Sequence, residues 1–211
     1  MLKSARLYVI LDAQVNSYPE LFEIALRADR AGADILQLRD KRGTARDILM
    51  FSRKLKAKLS KRVLYIMNDR ADLVLASDAD GVHVGQDDLP VGSARRLLGR
   101  GRLVGLSCQT YAHAKQAARL GADYIGLGSV FRTRTKPDRE PMDTRVLRQV
   151  CAKIPLPVFP IGGLDVPRVR WLRDTCGIRR AAVCRDICLA RNVEARVREF
   201  RDVLEARKDI N

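Results

Sequence analysis

Eight short apolar runs recur along the chain, each followed by a stretch patterned as an amphipathic helix, with a period of about 25 residues. The runs are RLYVILD from Arg6, DILQLRD from Asp34, VLYIMND from Val63 and GVHVGQ from Gly81. LVGLSCQ from Leu103, DYIGLGSV from Asp123, VFPIGG from Val158 and RAAVCRDI from Arg180 complete the set. Between them lie stretches such as PELFEIALRADRAG, TARDILMFSRKLKAKLS and VPRVRWLRDTCG. Strands rich in Val, Ile and Leu that alternate with helices specify a parallel sheet covered by helices. Gly32, Gly121 and Gly177 stand where helix C-termini are expected. Eight such units in 211 residues come close to the lower size limit of a (β/α)8 barrel. A doubly wound open sheet would carry a glycine-rich first turn, and the first turn here, LDAQVNSYP, has no glycine. The expected fold is therefore an α/β (β/α)8 TIM barrel. No linker or low-complexity tract divides it, so residues 1–211 are expected to form a single domain.

In LQLRDKRG, Gln37, Arg39 and Lys41 alternate with apolar residues. Period-two spacing puts the three on one face of a strand, with Leu36 and Leu38 on the other. Cations facing into a small barrel need partners, and an anionic ligand would supply them. Chemistry in such a barrel gathers at the C-terminal ends of the strands. Those ends hold Asn68 and Asp69, then Gln86, Asp87 and Asp88, then Ser107 and Gln109. Thr133, Thr135 and Lys136 follow the sixth run, and Gly162 and Gly163 close the seventh. Carboxylates suit Mg²⁺, which completes its octahedron with water and substrate phosphates. Arg and Lys hold the remaining phosphate oxygens. Two glycines before a helix resemble a phosphate cup of backbone donors and a helix N-terminus. Each feature alone has a plainer meaning. Asp69 and Asp88 could cap helices, the 133–136 segment could be a solvated loop, and paired glycines often mark a turn. Their convergence on one end of the barrel points to a metal-bound pyrophosphate and a separate phosphate.

Composition removes several other classes. The net charge of +15 and pI near 10.2 would suit an anionic partner. Yet the arginines are scattered beside acids, as in RVREFRDVLEARK, the pattern of a solvated helix exterior. No nucleic-acid-binding motif is visible. Five cysteines, with no Cys-x-x-Cys, read as reduced thiols of a cytoplasmic protein. Two histidines leave little material for a histidine zinc site or a Ser-His-Asp triad. No apolar run approaches a membrane span or a signal peptide.

QLRDK (Gln37–Lys41), MND (Met67–Asp69), GVHVGQDDLP (Gly81–Pro90), GLS (Gly105–Ser107), GADYIGLGSVFRTRTK (Gly121–Lys136) and IGG (Ile161–Gly163) follow one another in order. In this order the chain resembles the thiamine-phosphate synthase family from about Leu7 to Leu189. The resemblance implies a Mg²⁺-dependent transferase that joins hydroxymethylpyrimidine diphosphate to thiazole phosphate, giving thiamine phosphate and pyrophosphate. It implies Asp69 and Asp88 as Mg²⁺ ligands, and Gln37, Arg39, Lys41 and Asn68 as the pyrimidine-diphosphate site. Ser107 and Lys136 would complete the pyrophosphate cradle, with Arg39, Lys41, Ser107 and Lys136 the catalytic group. Thr133 and Thr135 would contact the thiazole phosphate, assisted by Gly163 and by the backbone around Cys184 and Arg185. The implied partners are two small-molecule substrates, without membrane or nucleic acid; a homo-oligomer is left open. Gln109, Arg168 and Arg185 depart from the family's usual residues, and the loop after Lys136 lacks a usual glycine. Rival readings are a thiazole tautomerase-like barrel and an inactive basic barrel that binds RNA. The Gln37-Arg39-Lys41 set and Asp88 favour the synthase, and Gln109 removes the histidine expected of the tautomerase.

Overall fold

The structure, a computed structural model, describes residues 1–134 and 140–206. A 3-10 turn at Leu2–Ser4 leads into β1 (Leu7–Asp12) and α1 (Tyr18–Ala31), then β2 (Ile35–Arg39) and α2 (Ala45–Lys56). β3 (Leu64–Asn68), α3 (Ala71–Ser77), β4 (Gly81–Val84) and α4 (Val91–Leu98) follow. Next come β5 (Leu103–Cys108), α5 (Tyr111–Arg119), β6 (Tyr124–Gly128) and α6 (Thr144–Lys153). The chain finishes with β7 (Val158–Ile161), α7 (Val166–Cys176), β8 (Ala181–Val183), α8 (Arg185–Cys188) and α9 (Val193–Glu205). The strands pair in sequence order, all parallel, and β8 closes on β1 through Leu7 and Ala181. This is the (β/α)8 barrel that the alternation predicts. No helix among the described residues is long and apolar enough to cross a membrane.

Period-two alternation sorts the strand side chains into two apolar layers. Leu7, Val9 and Leu11 of β1, with Leu36 and Leu38 of β2, pack outward under the helices. Tyr8, Ile10, Ile35, Ile66, Tyr124 and Phe159 fill the barrel interior. Phe159 lies edge-on to Tyr8 and Tyr124, with centroids 5.4 and 5.8 Å away. Room for these rings comes from small residues opposite: a Cβ on Gly105 would stand 2.2 Å from Tyr124.

Helix starts follow capping chemistry. Ser17 and Glu20 form a capping box on α1, and Thr44, Thr110 and Asn192 cap α2, α5 and α9. The three glycines expected after helices all have positive φ. At the N-terminal end of the barrel one device recurs three times. Asp34, Asp80 and Asp123 each precede an even-numbered strand and accept a backbone N–H from the strand before it. The donors are Leu7 (2.9 Å), Tyr65 (2.7 Å) and Val104 (2.7 Å). Each carboxylate also pairs with a cation from a helix, namely Arg201, Lys56 and Arg95 in turn.

Two expectations need correction. RAAVCRDI reads as one strand, but β8 stops at Val183 and α8 begins at Arg185, so the eighth unit carries an extra short helix. The run is apolar enough for either element, and periodicity alone does not separate them over so few residues. Lys41 also does not continue β2, which ends at Arg39.

Candidate active site

At the C-terminal end of the strands a cavity of about 320 Å³ opens above the interior rings, with Tyr8 and Phe159 among its lining. Gln37, Arg39, Asn68 and Ser107 face it from β2, β3 and β5. The first two do so because the alternation of β2 turns Leu36 and Leu38 the other way. Arg39 is held by Asp12, its register partner on β1: Nη1 donates to Oδ2 at 2.8 Å. The Asp12 side chain is 1% exposed and also accepts the Gln14 N–H at 3.0 Å. Gln37 is buried and donates from Nε2 to the Tyr8 hydroxyl at 2.5 Å.

Asp69 and Asp88 meet beside this wall. Asp69 follows β3 with φ +61, a conformation that Asp and Asn tolerate better than most residues. Its N–H donates to the His83 carbonyl at 2.8 Å, and its Oδ2 accepts from Asn68 Nδ2 at 2.6 Å. Lys41 reaches back from beyond β2 to bond the same oxygen, and lies 4.0 Å from Asp88 Oδ1. Desolvation raises the Asp69 carboxyl above its ordinary pKa, and the hydrogen bond with Asp88 raises it further; Lys41 opposes both. Asp88 accepts the Gly85 N–H at 2.8 Å. Neither acid caps a helix: the N-cap positions of α3 and α4 are Arg70 and Pro90. A crowded carboxylate pair with one lysine between them can hold a hard divalent cation. Among the described residues no group of three or more His, Cys, Asp or Glu side chains forms a fuller cage. Any such ion would need water or ligand oxygens to complete its shell.

The far side of the cavity is built by the segments after β6, β7 and β8. Thr133, Gly163, Cys184 and Arg185 all line it. Thr135 and Lys136 lie outside the described residues. Gly163 has φ +62, and a Cβ there would stand 2.5 Å from the Arg132 carbonyl, so only glycine allows this backbone-to-backbone approach. Arg168 donates to the Gly163 carbonyl at 2.5 Å and stacks 4.9 Å over Phe131. At the start of α7, Asp165 caps the helix and accepts the Arg168 N–H at 2.8 Å. The short helix α8 also brings Arg185 to the cavity, where its side chain makes no hydrogen bond or ion pair to another described residue. Cys184 is a neutral thiol: its hydrogen bond with Cys188 and its burial push its pKa well up.

Asp12, Tyr8, His83 and Tyr124 escape a reading of the sequence as a line. A lone acid at the end of an apolar run does not announce that its register partner is Arg39. The available signal is again period two, which sets His83 of GVHV and Tyr124 of DYIGLG on the inner face.

The model of the thiamine monophosphate synthase family matches residues 7–187. The thiamine-phosphate synthase of Halalkalibacterium halodurans is 36% identical over 208 residues, which cover 98% of both chains. That of Shouchella clausii is 37% identical over 196 residues, covering 92% of this chain and 93% of the relative. The solved structure of thiamine phosphate pyrophosphorylase from Pyrococcus furiosus superimposes with a TM-score of 0.85 at 30% identity, over 95% of each chain.

Proposed function

The chain belongs to the thiamine monophosphate synthase family, and on that premise we propose that it transfers the hydroxymethylpyrimidine group from its diphosphate to thiazole phosphate. The products are thiamine phosphate and pyrophosphate. The observation that carries this reading is the convergence of Arg39, Asn68 and Ser107 on one cavity, with the Asp69–Asp88 pair held beside it by Lys41.

The carbon–oxygen bond to the diphosphate breaks and its electron pair leaves with pyrophosphate. The thiazole nitrogen then donates its lone pair to the exposed carbon. Such a reaction asks for stabilisation of a departing anion more than for a strong general base. Arg39 presents a guanidinium whose orientation Asp12 fixes before the ligand arrives, which is electrostatic preorganisation. Lys41 adds a second cation and Ser107 a hydroxyl. Asp69 and Asp88 would hold Mg²⁺, which when bound neutralises part of the charge on the diphosphate oxygens. Lys136 belongs to the same cradle by its position in the sequence. Gly163, Thr133, Cys184 and Arg185 frame the thiazole phosphate on the opposite wall, and Thr135 is assigned to the same phosphate by its position in the sequence alone.

The test is direct. Protein incubated with both substrates and Mg²⁺ should yield thiamine phosphate, detected by mass spectrometry, and excess chelator should abolish the product. Undiminished turnover in chelator would remove the metal from the proposal, and no product with both substrates present would remove the activity.

A further inference from the structure

Five interior side chains from five strands form a continuous hydrogen-bonded chain across the barrel. Gln37 Nε2 donates to Tyr8 Oη at 2.5 Å, Tyr8 Oη lies 3.0 Å from Tyr124 Oη, and Tyr124 Oη lies 3.3 Å from His83 Nδ1. His83 Nε2 then lies 3.0 Å from Ser107 Oγ. Burial raises the pKa of both phenols, so each keeps its single hydroxyl hydrogen. Resting on the reading of the cavity as a diphosphate site, we propose that His83 is a positioning residue. This chain holds it as the Nε2–H tautomer, so that Ser107 turns its hydroxyl hydrogen into the cavity as a donor to the diphosphate.

Counting hydrogens sets the direction. The Gln37 amide N–H already points at Tyr8 Oη. The hydrogen of Tyr8 has one acceptor within reach among the described residues, Tyr124 Oη. Tyr124 therefore accepts from Tyr8 and directs its own hydrogen to His83 Nδ1. A ring nitrogen that accepts carries no proton, so in the neutral imidazole the proton sits on Nε2 and points at Ser107 Oγ. The serine hydrogen then has to find an acceptor elsewhere, and Ser107 lines the cavity. The opposite ordering would leave the Tyr8 hydroxyl hydrogen, on a residue only 2% exposed, without an acceptor among the described residues, against the cost of burying an unsatisfied donor. A hydroxyl that accepts on one side donates more strongly on the other, which suits an anionic ligand. In the reverse order Ser107 would spend its hydrogen on His83 and present only lone pairs to the diphosphate.

The chain contains two histidines, so His113→Gln leaves His83 as the sole signal in protein labelled with 15N-histidine. The expected spectrum has an unprotonated Nδ1 and a protonated Nε2. A protonated Nδ1 overturns the relay, whatever the enzyme turns over. Tyr124→Phe keeps the ring and removes the link. It should mix the two tautomers and weaken inorganic pyrophosphate binding by about fivefold; a His83 signal that stays wholly Nε2–H in that variant also overturns the relay. Two substitutions at His83 separate donation from packing. His83→Gln carries an amide N–H to the place of Nε2 and should hold pyrophosphate affinity within about twofold of wild type, whereas His83→Leu should lose about tenfold. Equal losses in the two variants would reduce His83 to a space-filling role and end the proposal. If wild-type protein shows the Nε2–H signal yet binds no pyrophosphate, the donor role of Ser107 falls together with the proposed function, and the tautomer assignment stands on its own.

Discussion

Asp69 combines a backbone at φ +61, a partly desolvated carboxyl and a second carboxylate within hydrogen-bonding reach. Its folded-state pKa lies above the ordinary value, so the folded protein binds the proton more tightly than the unfolded chain does. Stability contributed by this group is then fully present below the ordinary carboxylate pKa of 3.8 and is lost as pH rises through the raised folded value. Asp69→Asn removes the charge while keeping a residue that tolerates this backbone. The variant should be more stable than wild type near pH ~7 by about 1 kcal/mol, with the gain vanishing in acid, while turnover is abolished. Thermal denaturation across pH checks the first part, and a variant less stable than wild type at neutral pH would contradict it. Arg39 needs a different substitution. Removing it altogether strands Asp12, which is 1% exposed, and leaving one partner of a buried pair alone costs about 3–5 kcal/mol. Arg39→Lys keeps a cation for Asp12 but loses the planar fork that grips phosphate oxygens. It should fold and lower kcat/KM by about tenfold or more (~1.4 kcal/mol). Activity within about twofold of wild type would mean that Arg39 serves Asp12 alone.

Among the elements, the foot of the barrel holds the strands together and the mouth holds the cavity. Asp80 joins β3 to β4 through the Tyr65 N–H and draws in Lys56 of α2 at 2.5 Å. Asp123 does the same for β5 and β6 with Arg95 of α4. Asp123→Ala leaves the Val104 N–H without its side-chain acceptor at the start of a strand, and should cost about 1–3 kcal/mol of stability. Because that end faces away from the cavity, kcat/KM should stay within about twofold; chemical denaturation beside a turnover assay separates the two. Asp34, Asp80 and Asp123 each follow alanine in the sequence, Ala33, Ala79 and Ala122. The eighth strand breaks the series with Arg180, whose guanidinium turns to the Lys3 carbonyl at 2.7 Å. The strands themselves were legible because apolar runs and period-two alternation are local properties. The same alternation correctly faced Gln37 and Arg39 toward the cavity. Lys41, Asp12 and His83 were harder, since their partners come from other strands, and register between strands is set by packing that no single segment encodes. The start of α8 was illegible for a simpler reason: a four-residue helix is shorter than one hydrophobic repeat.

Taken whole, the molecule carries 40 basic and 25 acidic side chains, and their placement decides what that excess can do. On the exterior many arginines meet acids, as in Arg30–Glu194 (3.1 Å) and Arg102–Asp78 (2.6 Å). Such pairs offset part of the exterior charge where they form. At the mouth, Arg39 and Arg185 line the cavity, and Lys41 stands beside Asp69 and Asp88 next to it. A net positive body with cations focused at a cleft steers anions to it, and steering is a long-range effect that salt screens. Contacts at hydrogen-bond distance inside the cavity are screened much less. Raising monovalent salt from about 0.1 to about 1 M shortens the Debye length from about 10 to about 3 Å. The KM for pyrimidine diphosphate should therefore rise several-fold, roughly 3–10, while kcat changes by less than about twofold. Single-stranded RNA offers a control on the same charge. A barrel that used its exterior to bind RNA would lose affinity with a log–log salt slope of about −0.7 per phosphate contacted. The scattered, acid-paired arginines should instead give only weak binding, with a Kd above about 10 µM at physiological salt. A KM indifferent to salt, together with tight and steeply salt-dependent RNA binding, would assign the excess charge to the exterior and not to the mouth of the barrel.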